Sequence, residues 1–372
     1  MDAGKEERYM IRALELARRG EGGVNPNPLV GALIVSAGRI VGEGYHREFG
    51  GPHAEVYALE AAGDRTDGAD LYVTLEPCAH YGRTPPCVDR IITGGINRVI
   101  IAMEDPYPEV SGRGIQRLRD AGIEVEAGIL ESEARQVNEI YLKYVTTGVP
   151  FVLLKMAMTA DGKIATRTGD SRWISSKASR RRVHELRNRF SAILVGINTV
   201  LADDPELTVR LVPGRDPVRI VLASNGAIPL EAKLLNLESR AKTIVATTGA
   251  ISRQKRMALE ERGAEVWTLD AGEDGRVDPR ALIAKLGEAK IDSLLIEGGS
   301  AVAASFIEAS LVDKLLLFIA PKIVGGIQAL TPVGGTGREW IEAAAQLRDV
   351  SVEMVDGDVA YVGYLSEGEE AE

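Results

Sequence analysis

Four residues in the first quarter of the chain could do chemistry together: His53, Glu55, Cys78 and Cys87. A catalytic zinc takes three protein ligands and keeps a fourth position open for water. One imidazole and two thiolates meet that requirement, and thiolates suit zinc better than magnesium or calcium. Glu55 stands two positions past His53, where it is placed to carry protons rather than to bind the metal. The competing reading is a closed structural site, for which His46 and His80 are the only other histidines in this half of the chain. The 372 residues hold just two cysteines, so a disulfide framework is excluded. The pair either bonds locally or shares a metal.

These side chains need elements to hold them. His53-Ala54-Glu55 follows Gly50-Gly51-Pro52 and opens a helical stretch, 53–62, so both functional groups fall in its first turn. Pro77-Cys78 follows the apolar strand LYVTL and precedes a further helical stretch. Helix termini beside the thiolates would lower their pKa values. Around them, residues 5–19 read as an amphipathic helix, LVGALIVS and GRIVGEGY as a hairpin about Ala37-Gly38, and RVIIAM as a buried strand. GIQRLRDAG and ILESEARQVNEIYLKYV supply further helices. A turn-forming cluster at Thr147-Gly148-Val149-Pro150 then breaks the chain into expected domains of residues 1–146 and 147–372. Beyond it, strands FVLLKMA, AILVG, VRIVLA, TIVAT, EVWTL, SLLIEGG and KLLLFIA alternate with helices near 176–189, 252–262, 279–288 and 301–310. The whole reads as α/β.

The order His-x-Glu, Pro-Cys, Cys matches the signature of zinc-dependent deaminases, whose glutamate moves a proton from water to the ring nitrogen and then to ammonia. One departure stands out: eight residues separate Cys78 from Cys87, where the signature has two. A net charge of −10 argues against a nucleic-acid groove. No apolar run is long enough to span a membrane, and the charged N-terminus lacks a signal-peptide core, so a cytoplasmic location is expected.

Longer segments are more specific. VNPNPLVGALIV, GPHAEVYAL, YVTLEPCAHYGRTPPC and AMEDPYPEVSGRG resemble the bifunctional deaminase–reductases of riboflavin biosynthesis, in which a long loop between the cysteines is typical. The resemblance continues through LKMAMTADGKIATRTGDSRWISS, ILVGINTVLADDPELTVR, LIEGGSAVAASF and FIAPKIVGG, and so covers nearly the whole chain. It implies a cytidine-deaminase-like three-layer α/β/α domain followed by a dihydrofolate-reductase-like α/β domain. Two consecutive reactions are implied: hydrolytic removal of the 2-amino group of a phosphoribosylated diaminopyrimidinone, then NADPH-dependent reduction of its ribosyl group. Asn25, His46 and His80 are implied at the pyrimidine. The alternative is a deaminase whose C-terminal domain has no catalytic role. Homo-oligomerisation is a further expectation from the family.

In the second half, Glu297-Gly298-Gly299-Ser300 links a strand to a helix, where glycines admit a close ligand and the helix N-terminus favours phosphate. The resemblance implies that Gly299, Ser300, Ala301, Val302, Ala303, Ala304 and Ser305 line NADPH, with Ala157, Trp173, Thr199, Asp203 and Ser224. It places Glu297 and Leu207 at the substrate. Six basic residues crowd 177–189, mostly a solvated face. Arg187 is the exception: with Ser171 and Arg210 it is expected to cradle the substrate phosphate, since guanidinium forks match phosphate oxygens. Asp161 and Lys163 of TADGK are expected to hold their loop. No proton donor for the reduction is evident in the sequence.

Overall fold

The computed structural model describes residues 3–79, 85–108 and 110–365. The chain divides into two compact units, Met1–Gly148 and Val149–Glu372.

The first unit runs α1 (Ala3–Arg18), β1 (Gly31–Ser36), β2 (Arg39–Tyr45), α2 (Ala54–Ala62), β3 (Asp70–Val73), α3 (Cys87–Thr93), β4 (Arg98–Ile101), α4 (Arg113–Asp120), β5 (Glu124–Ala127), α5 (Glu131–Val137) and α6 (Glu139–Thr147). Its five-stranded sheet has the order β2-β1-β3-β4-β5, with β1 antiparallel to both neighbours and β3, β4 and β5 parallel. The hairpin turns on Ala37 and Gly38, both at positive φ, as a tight two-residue turn requires. Two close approaches set the layers. A Cβ on Gly31 would lie 2.0 Å from the Ala13 carbonyl of α1, and one on Gly44 would lie 2.2 Å from the Ala54 carbonyl of α2. Gly31 pairs with Tyr45 and Gly44 with Ala32, the next rung of the ladder, so the two glycines face opposite sides of the sheet. Hence α1 and α2 cover opposite faces in three layers. β4 is buried along its whole length, as a strand covered on both faces must be.

The second unit runs β6 (Phe151–Thr159), α7 (Lys177–Arg189), β7 (Ala192–Gly196), α8 (Ile197–Asp203), β8 (Val218–Leu222), β9 (Thr243–Thr247), α9 (Arg253–Glu261), β10 (Glu265–Thr268), α10 (Pro279–Glu288), β11 (Ser293–Ile296), α11 (Ser300–Glu308), β12 (Lys314–Ala320), β13 (Leu347–Val355) and β14 (Asp358–Leu365). Nine strands form one sheet in the order β10-β9-β8-β7-β11-β6-β12-β14-β13, parallel up to β12 and antiparallel over the last two. β7, β9 and β11 are buried throughout and read as unbroken runs of apolar or small residues. Ser176 caps α7 by accepting the Ser179 N–H, and Asp278 with Pro279 starts α10. Among the described residues no helix is long and apolar enough to cross a membrane.

Candidate active sites

His53 is the N-cap of α2, in extended conformation, so its ring leaves the helix while Glu55 occupies the first turn. The helical stretch expected after Pro77-Cys78 begins at Cys87. His53 Nδ1 and the Sγ atoms of Cys78 and Cys87 lie within 4.8 Å of one another. His53 Nδ1 is 3.2 Å from Cys87 Sγ and 3.6 Å from Cys78 Sγ. A tetrahedral zinc with ordinary Zn–S and Zn–N lengths sets such separations at about 3.5 Å. The donor set fits the ion.

Glu55 is 3% exposed, and its Oε2 is buried without a hydrogen-bond partner. Burial pushes its carboxyl above the usual carboxylate range. A carboxyl held this way takes up a proton more readily than a solvated one. The Cys78 thiol is drawn down to about 4, first by a hydrogen bond from Cys87 Sγ and then by those from His53 and the Cys87 backbone N–H, while Cys87 is pushed up. One of these donors, the Cys87 N–H, is the first backbone amide of α3, so the N-terminus of that helix contributes to the Cys78 thiolate. His53 is raised to about 9 by its hydrogen bond to Cys78.

His46 is buried, with both ring nitrogens engaged. Nδ1–H donates to the Pro52 carbonyl at 2.9 Å, and Nε2 accepts from Asn27 Nδ2 at 3.2 Å. Its ring meets that of His53 edge-on at 5.4 Å. His46 is thus no fourth ligand; it braces the backbone just before His53. Asn25 lies half-buried in the same loop. His80 lies outside the described residues. Sequence reasoning missed Asn138, which accepts the Leu29 N–H at 2.8 Å and donates to the Leu29 carbonyl at 3.0 Å. The Asn25–Leu29 loop is pinned in this way from the far end of the unit.

In the second unit, Ile296 pairs with Leu154, so Glu297 and Lys155 follow side by side at the ends of that pairing. Arg187 of α7 grips Glu297 bidentately, Nε to Oε1 at 2.7 Å and Nη2 to Oε2 at 2.8 Å, with the two side chains 12% and 9% exposed. Its Nη1 donates to the Thr208 carbonyl at 3.0 Å. Three of the five guanidinium N–H groups are therefore committed inside the protein, and Glu297 has a partner of its own. One turn earlier on α7, His184 Nδ1 accepts the Arg210 N–H at 2.9 Å. Burial, then Arg187 and Arg210, lower His184 to about 4. Burial likewise lowers the Lys155 amine. It would raise Glu297, but the Arg187 charge and hydrogen bonds outweigh it and hold that carboxyl low. Sequence reasoning missed Lys155, whose signal was a lone charge inside the apolar strand FVLLKMA.

Leu207 is buried at φ 55°, a conformation uncommon for a bulky side chain. Arg210 is half-exposed and pairs with Glu206 at 2.7 Å. Ser171 makes no side-chain hydrogen bond among the described residues, so the expected trio of Ser171, Arg187 and Arg210 is not joined by direct bonds. Gly298 and Gly299 sit at φ 143° and 83°, and a Cβ on either would lie 3.4–3.6 Å from Thr199 Oγ1. Of the run 299–305, Val302, Ala303 and Ala304 turn their side chains into the core, leaving Gly299, Ser300, Ala301 and Ser305 with accessible surface. Trp173 is 63% exposed, which excludes core packing, with Arg180 4.5 Å from its ring centre. Arg172 links this loop to Asp203 by donating to its carbonyl at 2.6 Å. Ala157 shares the face of β6 that carries Lys155. The Ser224 hydroxyl accepts the Val277 N–H at 3.1 Å. Asp161 takes the Thr159 hydroxyl and the Val324 and Gly325 N–H groups, holding its loop.

A zinc-ligand triad with a buried carboxyl on a three-layer unit, joined to a unit whose glycine loop and buried charges gather at strand ends, defines a hydrolytic deaminase fused to a nucleotide-dependent reductase. Residues 3–103 match the cytidine and deoxycytidylate deaminase zinc-binding region, and residues 150–361 match the RibD C-terminal domain. The riboflavin biosynthesis protein RibD of Actinobacillus pleuropneumoniae is 47% identical over 351 residues, covering 94% of this chain and 93% of that one. That of Aquifex aeolicus is also 47% identical, over 95% and 97% of the two chains. The crystal structure of a diaminohydroxyphosphoribosylaminopyrimidine deaminase/5-amino-6-(5-phosphoribosylamino)uracil reductase from Thermotoga maritima superposes with a TM-score of 0.87. It is 41% identical and covers 98% of this chain and 100% of that one. The chain belongs to the RibD family: it is a bifunctional enzyme of riboflavin biosynthesis, with a zinc-dependent deaminase domain and an NADPH-dependent reductase domain.

Proposed function

We propose that this chain removes the 2-amino group of 2,5-diamino-6-(5-phosphoribosylamino)pyrimidin-4-one in residues 1–146 and reduces the ribosyl group of the product in residues 147–372, giving 5-amino-6-(5-phosphoribitylamino)uracil. The observation that carries the reading is the buried Glu55 carboxyl, with Oε2 free of a hydrogen-bond partner, beside the triad of His53, Cys78 and Cys87. Zinc, when bound by that triad, supplies the Lewis acidity that makes water a nucleophile near neutral pH. Glu55 accepts one proton of the water at its carboxylate and passes it to the ring nitrogen, then takes the second from the newly added hydroxyl and passes it to the amino group that leaves as ammonia. Asn25 and His80 orient the pyrimidine, and His46 keeps His53 in place.

NADPH supplies the hydride in the second reaction, held by Ala157, Trp173, Thr199, Asp203, Ser224 and the main chain of Gly299–Ser305. The ribosyl group lies over Glu297 and Lys155, with Leu207 as its apolar wall. Lys155 holds the proton that the sugar ring oxygen needs as the ring opens; its lowered pKa makes the amine a better acid than a solvated lysine. Ser171 and Arg210, with the two unused N–H groups of Arg187, receive the phosphate. Supplying the diaminopyrimidinone phosphate with NADPH and identifying the product by mass tests the reading. Ammonia release without NADPH consumption would favour the single-activity alternative.

The protein works as a homo-oligomer in the cytoplasm. The edge strand β13 exposes Val352 and Met354, and Trp340 and Ile341 precede it, all more than 60% exposed. An open strand edge with apolar neighbours is a surface that a second copy would cover. Sedimentation of the purified chain at micromolar concentration tests this; a monomer would refute it.

A further inference from the structure

In the two-residue spacing of the deaminase signature, the short chain between the cysteines itself keeps their thiolates close. Eight intervening residues give no such guarantee, because closing a longer loop costs more conformational entropy. Something else must hold the ends of this loop together. The direct ties between them are few and converge on Cys78: Cys87 N–H reaches its Sγ at 3.3 Å, and Val88 N–H reaches its carbonyl at 3.3 Å.

We infer that Arg117 is the clamp that fixes the spacing of the two zinc-binding cysteines. Its Nη1 donates to the Ala79 carbonyl, one residue past Cys78, at 2.9 Å. Its Nη2 pairs with Asp89 Oδ1, two residues past Cys87, at 2.5 Å. One planar guanidinium therefore bridges both ends of the loop with two charge-assisted bonds, a geometry that a point charge cannot reproduce. Arg117 can act as a fixed post because α4 is itself tied to the site. The Glu76 carboxylate, two residues before Cys78, accepts the N–H groups of Gly112, Gly114 and Ile115 at 3.0, 2.8 and 3.2 Å, and of Asp105 at 3.3 Å. These bonds seat Glu76 on the N-terminus of α4. The residues on either side of Cys78 are thus both bound to one helix, and the segment that follows Cys87 is bound to it through Asp89. Arg117 touches no ligand atom; it is a positioning residue. Its role goes beyond the zinc assignment but rests on it.

The test uses the full chain and measures the zinc dissociation constant by competition with a chromophoric chelator. Calorimetric unfolding of the first unit in the same preparation reports that the unit carrying the variant is folded, and reductase turnover reports the second unit. Residues that orient metal ligands from outside the coordination sphere affect affinity by roughly 10–100-fold. Arg117→Ala should weaken zinc binding by about that factor with reductase turnover unchanged. Arg117→Lys keeps the charge but reaches only one partner, so its affinity should fall between parent and Arg117→Ala. Asp89→Asn breaks only the ion pair and should also fall between. Zinc affinity within about twofold of the parent in Arg117→Ala would overturn the inference and leave Arg117 an ordinary surface ion pair. A fully restored Arg117→Lys would overturn the bridging geometry. If the parent itself binds no zinc, the zinc assignment fails instead, so the two failures are distinguishable.

Discussion

Replacing Glu55 by Gln tests the proton carrier with the least structural disturbance. Gln has the same shape, α2 still begins at Ala54 behind His53, and the triad of ligands is untouched. What disappears is the ability to gain and lose a proton at a buried site that is 3% exposed. General acid–base catalysis by one positioned group contributes about 10²–10⁴-fold, or roughly 3–5 kcal/mol of barrier. Deaminase kcat should therefore fall by that factor. Zinc content should stay near one ion per chain, and stability of the first unit should not fall, because a neutral amide is easier to bury than a carboxylate. Ammonia release from the diaminopyrimidinone phosphate gives the rate, and metal analysis gives the occupancy. Reduction of the deaminated intermediate in the same sample provides an internal standard. Deamination within a few-fold of the parent would refute the role of Glu55, and loss of zinc would mean that Glu55 supports the metal rather than the proton.

Arg187→Met should destabilise the second unit by about 3–5 kcal/mol, because it strands the Glu297 carboxylate in a buried site. All three tryptophans lie in that unit, so their fluorescence in a urea titration reads it alone. His184 has its folded pKa depressed from 6.5 to about 4. The neutral ring is therefore favoured by the fold, and its contribution is complete above pH 6.5 and lost as pH falls toward 4. Over that window His184→Asn should show a flatter stability profile than the parent, with a difference of at most about 3 kcal/mol; parallel profiles would contradict the assignment. Asn138→Ala leaves the Leu29 N–H and carbonyl without their partner. The first unit should lose about 2–5 kcal/mol by calorimetry and the deaminase KM should rise, since each unmet buried group costs about 1–3 kcal/mol.

The zinc triad and Glu55 were legible because the chemistry is written in short patterns beside strong element signals. A proline-led helix start places His53 and Glu55 together, and an apolar strand delivers Cys78. The central strands were legible for the same reason: β7, β9 and β11 are unbroken runs of apolar or small residues. Elements without such a signature escaped. β13 carries the alternation Val350-Ser351-Val352-Glu353-Met354, but it is exposed over most of its length, so no buried face marks it as part of the sheet core. α8 has seven residues, too few for a helical period. Resemblance located Arg187 and Glu297 separately, 110 residues apart, but nothing in either segment announces that they form one ion pair.

The residues that escaped share a physical task. Irregular segments such as Asn25–Leu29, 105–108, 110–112 and 207–210 lie outside helices and strands and have no ladder to satisfy their backbone. Buried N–H and carbonyl groups nevertheless need partners. Here those partners are side chains sent from other elements: Asn138 to Leu29, Glu76 to the segment before α4, and Arg187 and His184 to Thr208 and Arg210. Asp216 completes the last set by accepting the Val209 N–H at 2.7 Å, so that three successive residues are held from outside. Such a device fixes an irregular loop without requiring a sequence pattern in it, which is why it cannot be read locally. It also predicts how these sites fail. Removing one clamp should loosen substrate or metal binding before it abolishes the fold, and the effects of clamps on the same segment should be non-additive.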